Sequence, residues 1–218
     1  MIRNRLYIKR EPDKDGKLYF IFCEGEKRET NYFHYFSLLA SQINIQIVPI
    51  AQGKNSPLGL YENARQCLVP VEGKPEPSYT FTDGDEVWFI IDTDKWGKEI
   101  QELNEKIKFH KNWFIGESNP CFEVWLYYHL KKTKPKEEIS NWKEFLNKSI
   151  SGGFDSRKHP CLIEDAIENS KANYSTIVNN NPASKCTNVY KLAETFFPLV
   201  RENIEIAKQN FRGSRNAL

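Results

Sequence analysis

Between residues 18 and 130, short unbroken apolar runs alternate with stretches in which apolar residues recur every three or four positions. Residues 18–23, Leu-Tyr-Phe-Ile-Phe-Cys, form an aromatic-rich run bounded by Gly16 and Gly25. A run that does not alternate with polar residues predicts a strand covered on both faces, as in a parallel sheet. Over 29–43, Phe33, Phe36, Leu39, Ala40 and Ile43 fall at helical spacing, and Ile45, Ile47 and an apolar tail to Ile50 predict the next strand. Ser56-Pro57 reads as a helix start, with Ser as N-cap and Pro in the first turn. Leu58, Tyr61, Ala64, Cys67 and Leu68 supply that helix with an apolar side, and Pro70 ends it. Residues 73–84 read as a surface loop, and 87–91, Val-Trp-Phe-Ile-Ile, as a second doubly covered strand running directly into Asp92. A helix over 98–108 and a short strand over 113–115 follow. Ser118, Asn119 and Pro120 then read as the cap of a helix continuing through Phe122, Trp125, Leu126 and Leu130.

This βαβαβαβα order predicts an α/β fold: a parallel sheet of about four strands flanked by helices and joined by right-handed crossovers. Beyond Pro135 only helical patterns are visible, over 140–149, 160–178 and 183–211, the last broken at Pro198. The expected organisation is an α/β domain over 1–135, the place to look for a site, and a helical C-terminal extension over 136–218 packed on it.

Composition narrows the class. Of 218 residues, 39% are hydrophobic and 28% charged, enough to bury a core and unlike a disordered chain. The net charge of +2 does not single out nucleic acid as a partner, so any basic surface must be local. The longest apolar run is too short to span a bilayer, and residues 1–16 lack the apolar stretch of a secretory leader, so a cytoplasmic protein with no membrane contact is expected. The five cysteines are far apart and never in a C-x-x-C pair, which argues against a disulfide framework or a thiolate zinc site.

In open parallel sheets ligands bind beyond the carboxyl ends of the strands. Both doubly covered runs end on acids, Glu24 in one case and Asp92, followed by Asp94, in the other. Two residues apart in an extended segment, Asp92 and Asp94 would face one groove, and such crowded carboxylates suit a hard cation, Mg²⁺ or Mn²⁺. The competing reading is ordinary: acids at strand ends also serve as turn residues and helix caps. Gly25 would let the backbone turn and leave room for a metal or phosphate, or be a simple turn glycine.

Three strings carry a resemblance: Phe-Cys-Glu-Gly-Glu-Lys-Arg-Glu-Thr-Asn-Tyr-Phe over 22–33, Ile-Ile-Asp-Thr-Asp over 90–94, and Ser-Asn-Pro-Cys-Phe-Glu-Val-Trp-Leu over 118–126. Together they resemble the RloB-like family, which belongs with the Toprim nucleases related to the OLD family. Residues 181–189, Asn-Pro-Ala-Ser-Lys-Cys-Thr-Asn-Val, are similar to that family's C-terminal signature with two extra residues. The resemblance implies a Toprim-type nuclease in which Glu24, Asp92 and Asp94 bind Mg²⁺, with Glu29 and Glu123 as further acids of the site. Gly25, Lys95, Ser118 and Asn119 would contact the substrate, DNA or RNA, tRNA among the candidates. Capping remains the alternative role of Glu29, Ser118 and Asn119. It further implies an effector of bacterial anti-phage defence, such as abortive infection, encoded beside an AAA or ABC-type ATPase.

Other features are less directive. His34, His110, His129 and His159 show no metal-binding spacing, and no P-loop is present. Gly152-Gly153 followed by Arg157, Lys158 and His159 reads either as a phosphate-contacting loop or as a solvated one. Lys208, Arg212 and Arg215 make the C-terminal region basic. The helical third is the expected docking surface for the ATPase, or for a second copy in an oligomer, with Phe196, Phe197 and Phe211 as candidate anchors. Two rival functions stand: a non-catalytic regulatory subunit, and a haloacid-dehalogenase-like phosphatase built on Asp92-Thr-Asp94. Lys95-Trp96-Gly97 fits the second poorly.

Overall fold

A computed structural model describes residues 16–216 apart from 26, 38, 40–42, 50–53 and 178–180. The expected helix position at Ala40, the strand tail at Ile50 and Val178 lie outside the described residues, but the helix expected over 160–178 already ends at Ala172, and Thr176 pairs with Pro182 in an isolated bridge instead. Four parallel strands, β1 (Lys17–Cys23), β2 (Ile43–Ile47), β3 (Glu86–Asp92) and β4 (Trp113–Asn119), alternate with helices α1 (Arg28–Ser37), α2 (Pro57–Leu68) and α3 (Gly97–Ile107). The strand order is β2-β1-β3-β4-β5, the last being a two-residue antiparallel strand, β5 (Cys186–Thr187). The remaining helices are α4 (Glu123–Tyr128), α5 (Trp142–Ser149), α6 (Ile163–Ala172) and α7 (Tyr190–Asn216), with a 3-10 turn over His159–Leu162.

The unbroken apolar runs are explained by burial on both faces. Along β1, Tyr19, Ile21 and Cys23 enter one hydrophobic cluster with α1 and α4 to α7, while Phe20 and Phe22 enter the other with α2 and α3. β3 divides the same way, Trp88 and Ile90 against Val87, Phe89 and Ile91. α2 starts as its sequence predicts: the Ser56 Oγ accepts the Gly59 amide at 3.3 Å, with Pro57 in the first turn.

Four expectations are corrected. β4 runs on to Asn119, so Ser118 and Asn119 are strand residues rather than helix caps, and α4 begins only at Glu123. The C-terminal region is not purely helical, because it contributes β5 to the sheet. α7 continues through Pro198 without breaking. Proline cannot donate the backbone hydrogen bond there, but Ala193, Phe196 and Phe197 before it and Val200 and Ile204 after it are all buried in one cluster, which holds both halves in line. Phe196 and Phe197 are therefore core residues, not docking anchors; Phe196 packs on Tyr19 and on Phe36. Among the described residues, no helix is long and apolar enough to cross a membrane.

Candidate active site

From β1 the chain passes through α1 to β2 on one side, and β3 then lies on the other side of β1. The connections thus leave β1 and β3 in opposite directions, which opens a crevice at their carboxyl ends. Glu24 and Asp92 stand on its two sides. The Glu24 amide extends the ladder by donating to the Ile90 carbonyl at 3.1 Å. The Glu24 carboxylate accepts the Trp96 indole N–H at 2.9 Å and the Asp92 amide at 3.4 Å. Asp92 Oδ1 accepts the Phe122 amide at 2.8 Å, tying β3 to the turn before α4. The Thr93 amide lies 3.0 Å from both the Ser118 and Pro120 carbonyls, which ties it again.

Two further acids come from helix starts. Glu29, in the first turn of α1, is buried, and Glu123 is the first residue of α4. Glu123 Oε1 pairs with the Arg28 Nη1 at 2.6 Å, so the first residues of two helices are joined by an ion pair across 95 positions of sequence. Gly25 has a definite role here: a Cβ at that position would run into the Glu29 carboxylate.

The electrostatics treat these acids as one cluster. Burial, then the charges of Glu29, Glu24 and Glu123, push the Asp92 carboxyl up to about 8. Burial raises Glu29, with Glu123 and Glu24 adding to it, and burial raises Glu24, against the relief of the Trp96 hydrogen bond. Two thiols sense the same charges: burial pushes up both Cys23, aided by Glu29 and Asp92, and Cys121, aided by Glu123 and Asp92. Desolvated carboxylates that repel one another favour the proton or a cation. In chemistry the set fits a hard divalent ion, being all oxygen donors in mutual want of positive charge. In geometry it is open: among the described residues, no three Asp, Glu, His or Cys side chains stand close enough together to hold an ion as they are.

The remaining sequence candidates sit around this cluster. β3 ends on Asp92 and residues 93–95 bend, so strand geometry does not align Asp94 with Asp92. Asp94 is exposed, 3.9 Å from the still more exposed Lys95, and its charge bears on Glu24. Ser118 and Asn119 turn their side chains to the C-terminal segment: the Ser118 hydroxyl bonds to that of Thr187 at 2.8 Å, and the Asn119 amide donates to the Pro182 carbonyl at 2.8 Å. The 181–189 string is thus the partner of β4. His129 is buried, hydrogen-bonded to Tyr32, and held down to about 3 chiefly by burial. Arg28 was not legible as a site residue, since a Lys-Arg pair before a helix carries no signal of a partner in α4.

A doubly wound α/β sheet with an acidic cluster at its switch point defines the class. The RloB-like protein family model matches residues 19–196, and the chain belongs to that family, which is Toprim-related. Neither the curated proteins nor the solved structures give a match.

Proposed function

We propose that the chain is a divalent-cation-dependent phosphodiesterase acting on nucleic acid. The observation that carries this reading is the convergence of Glu24, Glu29, Asp92 and Glu123, from four separate elements, on the switch-point crevice. Burial, and then their mutual repulsion, push Asp92 to about 8. Such a cluster costs stability unless a proton or a cation relieves it, and a strand-end crevice is where α/β sheets take ligands. Glu24, Asp92 and Asp94 would hold Mg²⁺ or Mn²⁺, with Glu29 and Glu123 close by for a second ion or for proton transfer. When bound, the ion supplies Lewis-acid polarisation of a phosphate and acidifies a water.

The chain's own groups do the rest. Gly25 leaves room for the Glu29 carboxylate. Arg28, paired with Glu123, is a cation at the crevice able to exchange a carboxylate for a phosphate oxygen. Exposed Lys95 draws phosphate toward Asp94. Ser118 and Asn119 act through the β4–β5 seam, holding the turn that carries Glu123. Family membership supports the reading of an anti-phage effector working with an AAA or ABC-type ATPase, on DNA or RNA. The spread of the carboxylates favours a second reading, a regulatory subunit without catalysis. The phosphatase reading loses ground, since the acidic pair follows β3 and Trp96 binds Glu24.

Calorimetric titration with Mn²⁺ and Mg²⁺, with nuclease assays of the wild type and Asp92→Ala beside the cognate partner, tests the proposal. Metal binding and Asp92-dependent cleavage are expected. No heat of binding and equal activity of the two proteins would leave only the regulatory reading. Asp94→Asn should keep the melting midpoint but lose the metal-induced rise given by mass action; an unchanged rise removes Asp94 from the site.

A further inference from the structure

We infer that a groove between α1, the loop over 151–159 and α7 is a subsite for single-stranded nucleic acid, taking a phosphate and an unpaired base of the strand cut at the acidic cluster. The inference rests on the phosphodiesterase reading. The groove has a volume of about 660 Å³, and Tyr35, Gly152, Gly153, Arg157, Lys158 and Phe211 are among the residues lining it. That volume lies within the range of small-molecule sites.

Its loop is built for close approach. Gly152 and Gly153 have φ of +78° and +74°, a conformation that costs residues with a side chain, and the Gly153 amide closes the turn on the Ile150 carbonyl at 2.8 Å. A Cβ at Gly152 would meet nothing within 4 Å, so conformation, not space, requires glycine, and bare backbone faces the groove. Asp155 grips Arg157 through Nε and Nη2, both at 3.1 Å, and takes the Arg157 amide at 2.9 Å. Two of five guanidinium donors are thereby used and the fork is oriented, while the side chain stays 86% exposed. Lys158, 65% exposed, stands 4.0 Å from the same carboxylate. Two cations against one carboxylate leave the groove with positive charge, where the whole chain carries only +2. Tyr35 and Phe211 add aromatic walls from two helices, and His159 lies edge-on to Phe211 at 5.5 Å.

Cations for the backbone and rings for the bases are how sequence-tolerant single-strand sites work; a duplex would hide its bases from the rings. Tyr35 is six residues past Glu29 on the same helix α1, roughly 9 Å further along its axis and about a third of a turn around it, so the groove flanks the acidic cluster rather than overlapping it. The groove thus supplies anchoring that the acidic cluster, which repels phosphate, does not.

The test is fluorescence anisotropy of a labelled oligothymidylate against salt, without divalent metal, paired with a cleavage assay of the same proteins in Mn²⁺ beside the cognate partner, using wild type, Arg157→Gln/Lys158→Gln, Tyr35→Leu and Asp92→Asn, each checked for an unchanged cooperative melt. The double variant should bind roughly tenfold or more weakly, with the salt slope reduced by about 1.4, the share of two phosphates on a single strand. Tyr35→Leu, which keeps apolar bulk and removes the stacking face, should lose roughly five- to hundredfold with the slope unchanged. Asp92→Asn should bind no more weakly than wild type. Wild-type affinity and slope in the double variant, alongside Asp92-dependent cleavage, would overturn the subsite and leave the phosphodiesterase standing. Weakened binding by the double variant with no cleavage by any protein would support the subsite and overturn the phosphodiesterase. Competition by inorganic phosphate as strong as by a mononucleotide would overturn the role of the rings.

Discussion

Replacing Glu117 by Gln should make the protein more stable in alkaline buffer and leave it nearly unchanged in acid. Glu117 lies in β4 beside the proposed site, 95% buried, with Oε2 accepting the Asn188 amide at 3.3 Å and Oε1 buried without a partner. Burial pushes its carboxyl up to about 7, against the relief of the Asn188 hydrogen bond and of the Lys191 charge. Because the folded value lies above the ordinary 4.5, the folded protein holds the proton more tightly than the unfolded chain. The stability attached to this group is therefore whole below about pH 4.5, drains as pH rises, and is gone once pH has passed about 7. The full loss is about 3 kcal/mol, and about 2.5 kcal/mol of it falls between pH 5 and pH 9. Glutamine has the shape and charge of the protonated acid, so the variant does not share that loss. Urea unfolding followed by tryptophan fluorescence at pH 5 and pH 9 reads the difference between the two proteins, in which every other titrating group cancels. A variant-minus-wild-type difference that stays constant across this range would refute the reasoning, and Glu117 would then be charged or hydrated in the folded state.

Other outcomes follow from the same geometry. Gly25→Ala should displace the Glu29 carboxylate, so a Mn²⁺-induced rise in melting midpoint should shrink while the metal-free midpoint changes by only a few degrees; calorimetric scans with and without metal check this, and an undiminished rise would mean Glu29 lies outside the metal's reach. Arg28→Met leaves Glu123 without its partner and should lower stability by about 1–2 kcal/mol, largely restored by adding Glu123→Gln; a double-mutant cycle with no coupling would show the ion pair to be idle. Truncation after residue 181 removes β5 and α7 and with them the buried Val189, Leu192, Phe196 and Val200, so the shortened chain should show no cooperative unfolding by circular dichroism, and a sharp melt would prove the C-terminal segment dispensable to the core.

How far this was legible in the sequence depended on how local each signal was. β1 and β3 announce themselves because both faces are buried, so neither tolerates polar alternation, and their acidic ends then mark the crevice. The start of α2 is equally local, one hydroxyl and one proline. The end of β4 misled for the same reason: Ser118-Asn119-Pro120 imitates an N-cap followed by a first-turn proline, and what makes these residues strand is pairing with β3 and with a segment 69 positions away. β5 is two residues long and exists only through β4, so no periodicity could reveal it. In the site, the string pattern pointed to Glu29 and Glu123, but the Arg28 pair and the Trp96 hydrogen bond to Glu24, spanning 95 and 72 positions, belong to the fold alone. Asp94 was expected to face Asp92 on an assumption of extended geometry that the bend after β3 removes.

The C-terminal segment explains how a destabilising cluster is kept in place. Asp92 and Glu29 sit where apolar side chains would serve the core better, and among the groups acting on Asp92 the Phe122 amide, donating to Oδ1 at 2.8 Å, favours its charged form. That amide is aimed only because the turn from Pro120 to Phe122 is fixed, and the turn is fixed from behind. The Lys185 amide donates to the Asn119 carbonyl at 2.8 Å, the Asn119 side chain donates to Pro182, Thr187 bonds both the Ser118 hydroxyl and the Glu117 carbonyl, and Asn188 bonds Glu117 through backbone and side chain. The 181–189 string, which carries no group of the acidic cluster, thereby sets the position of Glu123 and of the amide that holds Asp92. A change at Thr187 or Asn188 should for that reason act on the carboxylates before it acts on the helices.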